Sequence, residues 1–372
     1  MPIYSTDEKK NGKTKYRVVV SYTAPDGKYK KKERTAYGLP DAKALEAVLI
    51  KELSSALPAA QLTVNELFAE YLAAKRNEIR ETSWSKIERV IRQDVIPTLG
   101  TKKLDKLDKR VLQDWKNLIA DKDISLTTKQ NCYKELRGML NWAVKMDYIP
   151  KNNLTTLGNF RDSSLESHTE PLRYYTADQF KEYIAVAKSK SETITEWGFY
   201  VFFSIAFYTG ARKGEINALK WSDIDGDIMH IRRSIAQKLK GGDRETAPKN
   251  KSSIRDVKLP KPLIDILAEH KMRQQADKAF TDDFRICGGI APLRDTSIDH
   301  KNRIFAKLAN LPHIRVHDFR HTHATLLINE GINIQEIARR LGHSDVQMTW
   351  NTYAHLYPRE EDRALEVLNK IV

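Results

Sequence analysis

Cysteine is almost absent from this chain, with only Cys132 and Cys287 in 372 residues. Two such residues build neither a disulfide framework nor a cysteine metal site, so a reducing compartment is the natural setting. Cys132 is also in register with Leu136, Met139, Leu140 and Ala143, the apolar stripe of a helix, and reads as core. Long apolar runs are missing too. The longest, "WGFYVFFSIAFY" at 197–208, is too short to cross a bilayer and predicts a buried helix. The opening "MPIYSTDEKKNGKTK" is polar and lacks the apolar stretch of a secretory signal. These absences predict a soluble, cytoplasmic chain with no membrane partner. There is no internal repeat and no low-complexity tract. Acidic residues are in deficit, 49 against 63 Lys and Arg, which leaves a net charge of +14. Such a field suits a polyanion, nucleic acid first, unless the charge is only a solubilising lysine coat. Where the charge sits has to decide between them.

A chain this long exceeds the usual size of a single core, which points to two or three domains. In "YRVVVSYTAPDGKYKKKERTAYG", β-branched and aromatic residues alternate around "PDG", the pattern of a hairpin, and "DAKALEAVLIKELSSAL" follows as a helix. Between Lys9 and Arg34 stand ten Lys or Arg against two acids, Asp26 and Glu33. A strand pair this basic suits a DNA groove, the alternative being a charged edge that resists aggregation. After "LPAAQ" the pattern becomes helical. Thr63 with Glu66 forms a capping box, Leu67 and Tyr71 share a face, and a second helix through Trp84, Ile87 and Ile91 stops before Pro97. Helices through "KRVLQDWKNLIA" and "LTTKQNCYKELRGMLNWAVKM" complete this segment. Its scattered Lys75, Arg76, Arg80, Lys86, Arg89 and Arg92 read, taken singly, as solvated faces. "KNNLTTLGNFRDSSLESHTEP" has no sustained period and reads as a linker. Beyond it Thr176 and Gln179 open a capped helix, the apolar helix runs into "YTGARKGEINALKW", a strand-rich stretch covers 228–259, and helices continue to the end. The expected fold is a multidomain α+β chain. It has a small N-terminal hairpin or sheet plus a helix at 1–57, an all-α domain at 62–155, a linker at 156–172, and a mainly α domain with a small antiparallel sheet at 173–372.

The stretch "HDFRHTHATL" concentrates chemistry at residues 317–326. His317 and His321 have the four-residue spacing of a helical zinc pair, but the pattern is HDFRH rather than HExxH, and the guanidinium of Arg320 would repel a cation. Phosphate fits better. His317 and Arg320, three apart, reach one point as proton carrier and bidentate clamp. Downstream, Asn333 with Glu336 is expected to cap a helix through Ile334, Ile337, Ala338 and Leu341, which Gly342 ends, leaving His343 at its exit. Tyr353 stands ten residues on. Upstream, "TGARKGE" offers Arg212 as a second clamp, with Glu215 placed to orient it. His321, His323 and His355 are expected to satisfy local hydrogen bonds rather than act in the chemistry.

"YTGARKGEINALKWSDID", "APKNKSSIRDVKLP", "HDFRHTHATLL" and "LGHSDVQMTWNTYAH" resemble, in order and spacing, the catalytic boxes of tyrosine recombinases, specifically the integrases of phages and integrative elements. The resemblance implies Arg212 and Arg320 as phosphate clamps, His317 and His343 as imidazoles around the same phosphate, Lys249 as general acid and Tyr353 as nucleophile. Asn250 replaces the family's usual threonine, so Lys251 is the alternative acid, and Phe319 stands where leucine is commoner. The basic N-terminal hairpin resembles an arm-type DNA-binding domain, the helical segment a core-binding domain, and 173–372 the catalytic domain. Double-stranded DNA with core and arm sites, a homotetramer on that DNA and accessory bending and directionality proteins are the implied partners. No metal and no cofactor are implied. Two arginines meet the charge that builds on the nonbridging oxygens, while a tyrosine hydroxyl, with an ordinary pKa of about 10, needs a base or a cationic field, which His317 and the arginines supply. A phosphotyrosyl product keeps the energy of the cut bond, so rejoining needs neither ATP nor metal. Rival readings are type IB topoisomerase relaxation, an inactive DNA-binding regulator and a metal nuclease. The tail "REEDRALEVLNKIV" carries Ala364, Leu365, Leu368 and Val372 at helical spacing, a face that docks on its own domain or on a neighbouring subunit.

Overall fold

A computed structural model of the chain describes residues 3–23, 29–56, 61–161, 172–237, 242–246, 251–356, 365 and 368–369. These form two compact units, Met1–His168 and Thr169–Val372.

The first unit begins with an antiparallel sheet in the order β1 (Ile3–Lys10), β2 (Lys13–Thr23), β3 (Tyr29–Tyr37), followed by α1 (Leu39–Ala56). Strand β1 goes beyond the hairpin expected from sequence. Its turn is made by Asn11 and Gly12, at φ 51° and 75°, the left-handed pair that a two-residue hairpin requires. The tip of the second hairpin, at the expected "PDG", lies outside the described residues. Val18 and Val20 are buried with Ala42 and Leu49 of α1. Arg34 and Lys32 pair directly across from these valines, so they lie on the helix side of the sheet, and Lys31, opposite Ser21, lies on the other face with Arg17.

A helical core follows, built from α2 (Val64–Lys75), α3 (Glu81–Asp94), α4 (Ile96–Leu99), α5 (Lys109–Ala120) and α6 (Leu126–Lys145). Thr63 and Glu66 form the expected reciprocal capping box, and Pro97 sits in the first turn of α4, where its missing N–H costs nothing. Fully buried Trp115 donates its indole N–H to the Asp94 carbonyl at 2.8 Å. The expected α6 stripe of Cys132, Leu136, Met139, Leu140 and Ala143 is buried against it. Burial and then Asp94 push the Cys132 thiol up to about 12, an inert core group. Packing continues past the expected boundary at 155, since Phe160 joins this core and its carbonyl accepts from Gln130.

The second unit is built around α8 (Ile194–Thr209), buried on nearly every side and capped by a Thr193–Glu196 box. It follows α7 (Ala177–Ser189), opened by the expected Thr176–Gln179 box, and leads into α9 (Lys213–Ala218). Strands β4 (Ile224–Asp225), β5 (Ile228–Ile231), β6 (Ser234–Ala236), β7 (Arg244–Thr246) and β8 (Arg255–Lys258) make two small antiparallel sheets, ordered β4-β5-β8 and β6-β7. Helices α10 (Lys261–Gln275), α11 (Asp295–Leu308), α12 (Asp318–Asn329), α13 (Ile334–Leu341) and α14 (Val346–Tyr353) complete the unit. Helix α12 packs along α8 and carries Phe319 into its aromatic core at full burial. The α+β class read from the sequence is the one observed, and no described helix is long and apolar enough to cross a membrane. One detail differs: Asn333 caps α13 through the Gln335 N–H, while Glu336 pairs with Arg339 instead of closing a capping box. In the tail, Leu365 and Leu368 are exposed, and Ala364 and Val372 lie outside the described residues.

Candidate active site

The site forms where four turns of the second unit meet. Helix α8 ends at Gly210, in the left-handed region at φ 63°, and this reversal sets Arg212 at the N-cap of α9. Glu215, one turn on and almost fully buried, accepts from the Arg212 backbone N–H at 2.9 Å and from Arg212 Nη1 at 2.8 Å. Its other neighbour is Arg255 of β8, whose Nη2 donates to Glu215 Oε2 at 2.9 Å and whose Nε donates to the Arg340 carbonyl at 2.7 Å. A single buried carboxylate thus ties two arginines together. Burial opposes its charge, but Arg255 and then Arg212 prevail and hold the carboxyl below its ordinary range.

Helix α12 supplies the next groups. His317 occupies its N-cap, and Asp318, fully buried, accepts from Arg315. Arg320 is 3% exposed, and its Nη1 donates to the Gly210 carbonyl at 2.9 Å. Its Nη2 is buried with no hydrogen-bond partner among the described residues. Burial and the positive charges of Arg212 and Arg255 push Arg320 down to about 9. His323 is a satisfied core histidine, bonded through Nδ1 to the Phe207 carbonyl at 2.7 Å, as expected of it.

Helix α13 ends at left-handed Gly342, and His343 follows with its Nδ1 on Thr349 Oγ1 at 2.7 Å. Tyr353, at the end of α14, is 1% exposed, and its hydroxyl lies 2.7 Å from His321 Nδ1. A side-chain hydrogen bond is what the sequence leads one to expect of His321, but not that its partner is the Tyr353 hydroxyl. Burial pushes the Tyr353 hydroxyl up to about 12 against the pull of Arg320. Partial enclosure and then His321 and Arg320 push His317 down to about 4, and enclosure with Arg320 and Arg212 does the same to His343. Both imidazoles are therefore neutral near pH 7.

Arg212, His317, Arg320, His343 and Tyr353 come together in one electrostatic neighbourhood. Lys249 lies outside the described residues, and so does the side chain of Lys251, whose backbone opens the short 3-10 turn Lys251–Ser253. Sequence reasoning passed over Arg255. The available signal was its strand, in which Arg255 takes a buried position alternating with exposed Asp256 and Lys258, so that a cation occupies a core position and must find a carboxylate. Among the described residues no three His, Cys, Asp or Glu side chains gather as a metal site.

Residues 173–360 match the phage integrase family, and residues 63–119 match the N-terminal SAM-like domain of phage integrases. The chain is similar to a protein of Caldanaerobacter subterraneus subsp. tengcongensis described as tyrosine recombinase XerC-like, with 27% identity over 98% of both chains. Its fold is shared with the Tn1549 transposon integrase, solved in complex with circular intermediate DNA. The TM-score there is 0.66 at 21% identity, covering 84% of this chain and 100% of that one. The lambda integrase tetramer bound to a Holliday junction shares it at TM-score 0.57 and 16% identity, covering 92% and 96%.

Proposed function

The chain belongs to the phage integrase family and is a tyrosine-type site-specific recombinase, and on that premise we propose that Tyr353 attacks a DNA phosphate held between Arg212 and Arg320. The observation that carries this reading is the unpaired Nη2 of Arg320. A guanidinium buried to this depth beside two more arginines is costly unless an anion meets it, and a phosphodiester supplies two nonbridging oxygens for the two clamps. His317 and His343, neutral and beside both arginines, donate further hydrogen bonds to those oxygens as their charge grows. Tyr353 Oη bonds to phosphorus, the bond to the 5′ oxygen breaks, and that oxygen takes a proton from Lys249, with Lys251 as the alternative. The 3′-phosphotyrosyl bond conserves the energy of the original linkage, and a 5′ hydroxyl reverses the step without ATP or metal.

We assign the helical part of the first unit and the second unit to the core site, and the basic sheet of residues 3–37 to a separate arm site on double-stranded DNA. The working assembly is a homotetramer on DNA, helped by bending and directionality proteins, that integrates or excises a mobile element or prophage. The exposed Leu365 and Leu368 favour an assembly in which the tail docks on a neighbour. The decisive experiment uses a nicked suicide substrate carrying the core site. Parent protein should give a covalently linked strand on a denaturing gel, in EDTA as well as in magnesium, and Tyr353→Phe should give none. An adduct in the phenylalanine variant, or loss of the parent's adduct on chelation, would sink the reading.

A further inference from the structure

Tyr353 is buried and protonated near neutral pH, so its proton must leave as the oxygen attacks. The expected acceptor, His317, makes no ring hydrogen bond among the described residues, whereas His321 Nδ1 stands 2.7 Å from the hydroxyl. The two imidazoles are one helical turn apart on α12 and meet edge to face, with ring centroids 5.4 Å apart. They face different groups. His317 is in the field of Arg320 and Arg212, where the phosphate is expected. His321 points its ring at Tyr353, at 5.6 Å between centroids and 61° between planes. We propose that His321, rather than His317, is the catalytic base that takes the hydroxyl proton of Tyr353.

The proposal rests on the reading of Tyr353 as nucleophile. In the step, the Tyr353 Oη–H bond breaks and its proton moves to His321 Nδ1 while Oη bonds to phosphorus. The bond from phosphorus to the 5′ oxygen breaks, and that oxygen is protonated by the acid. On religation the 5′ hydroxyl gives its proton back to that acid as it attacks phosphorus, and His321 returns its own proton to the departing Oη. The imidazole must be neutral at the start, and its surroundings keep it so. Burial comes first in lowering its pKa below 6.5, with Arg315 and Arg320 adding to the effect and Asp318 opposing it. From α14 the facing group is Tyr353 itself, α13 directs Arg340 to His323, and His355 in the turn after Tyr353 is exposed. A hydrogen bond already formed in the resting site also fixes the hydroxyl for transfer.

The test is single-turnover adduct formation on the suicide substrate, measured against pH for the parent, His321→Asn and His317→Asn. Asparagine at 321 offers an oxygen where Nδ1 stands, keeping the hydrogen bond but refusing the proton. Adduct formation by His321→Asn should fall by about 10²-fold or more, with core-site binding and thermal melting unchanged. The parent rate should rise with pH along a limb lying below pH 6.5, and His321→Asn should lack that limb. His317→Asn, though slow, should keep it. A His321→Asn rate within about threefold of the parent, or a limb lost in His317→Asn and kept in His321→Asn, would overturn the assignment alone. An adduct surviving Tyr353→Phe would remove the nucleophile reading and the assignment with it.

Discussion

Glu215 is the residue on which both upstream arginines depend. It is 3% exposed, with Arg212 on one oxygen and Arg255 on the other. Glutamine keeps the shape and one acceptor but leaves two cations facing each other, the situation in which breaking a buried pair costs about 3–5 kcal/mol. Glu215→Gln should therefore lose stability of that order in urea titration at pH 7. Because its folded pKa is lowered, the parent's advantage is full above the ordinary carboxylate value of 4.5 and fades as pH falls through the lower folded value. Parent and variant should converge in acid, and a gap independent of pH would show that the charge is not what matters. Spacing alone made part of this visible, since Arg212 and Glu215 are one turn apart in "TGARKGE". Arg255 was not visible, because it comes from a distant strand and only the folded chain brings it to Glu215. The choice between His317 and His321 was hidden for a related reason: both share a helical face, and the partner that separates them lies on α14.

Elements with a local chemical signal were legible, among them the capped starts of α2 and α7 and the apolar run that becomes α8. Strand β1 was not, because its polar "IYSTDEKK" lacks clean alternation and its one strong cue is the Asn11–Gly12 turn. The exit of α13 shows how an element's end serves the site. Gly342 has φ 69°, and a Cβ there would stand 2.9 Å from Arg255 Nη1 and 3.0 Å from the Ser252 carbonyl oxygen. Gly342→Ala thus meets backbone strain of about 1–2 kcal/mol and also pushes on the arginine that braces Glu215. Its midpoint in urea should drop accordingly. Its adduct formation, measured where both proteins are fully folded, should fall as well, since His343 leaves the helix at the next residue. A stability loss with an unchanged cleavage rate would confine Gly342 to ending the helix.

At the scale of the whole molecule, a net charge of +14 says that a polyanion is welcome, but not which surface receives it. Ten basic residues stand between Lys9 and Arg34, and the register of the sheet divides those of β2 and β3 between two faces. Lys32 and Arg34 lie on the α1 side, while Lys31 and Arg17 lie on the open face, where Arg17 is paired with Glu33. The phosphate contacts of the N-terminal sheet should therefore be fewer than its lysines. Counterion release makes the number measurable, since the logarithm of the binding constant falls against the logarithm of salt concentration with a slope of about −0.9 per phosphate neutralised. On duplex DNA carrying an arm site, the full chain should show a steep negative slope between about 50 and 200 mM salt. Lys31→Ala should make it shallower by about 0.9 if that ammonium sits on a phosphate. A chain starting at residue 62 should lose several such increments on arm DNA and none on the isolated core site. Equal slopes for the full and shortened chains on arm DNA would remove the sheet from DNA binding and return its charge to the role of keeping an exposed strand edge from pairing with another chain.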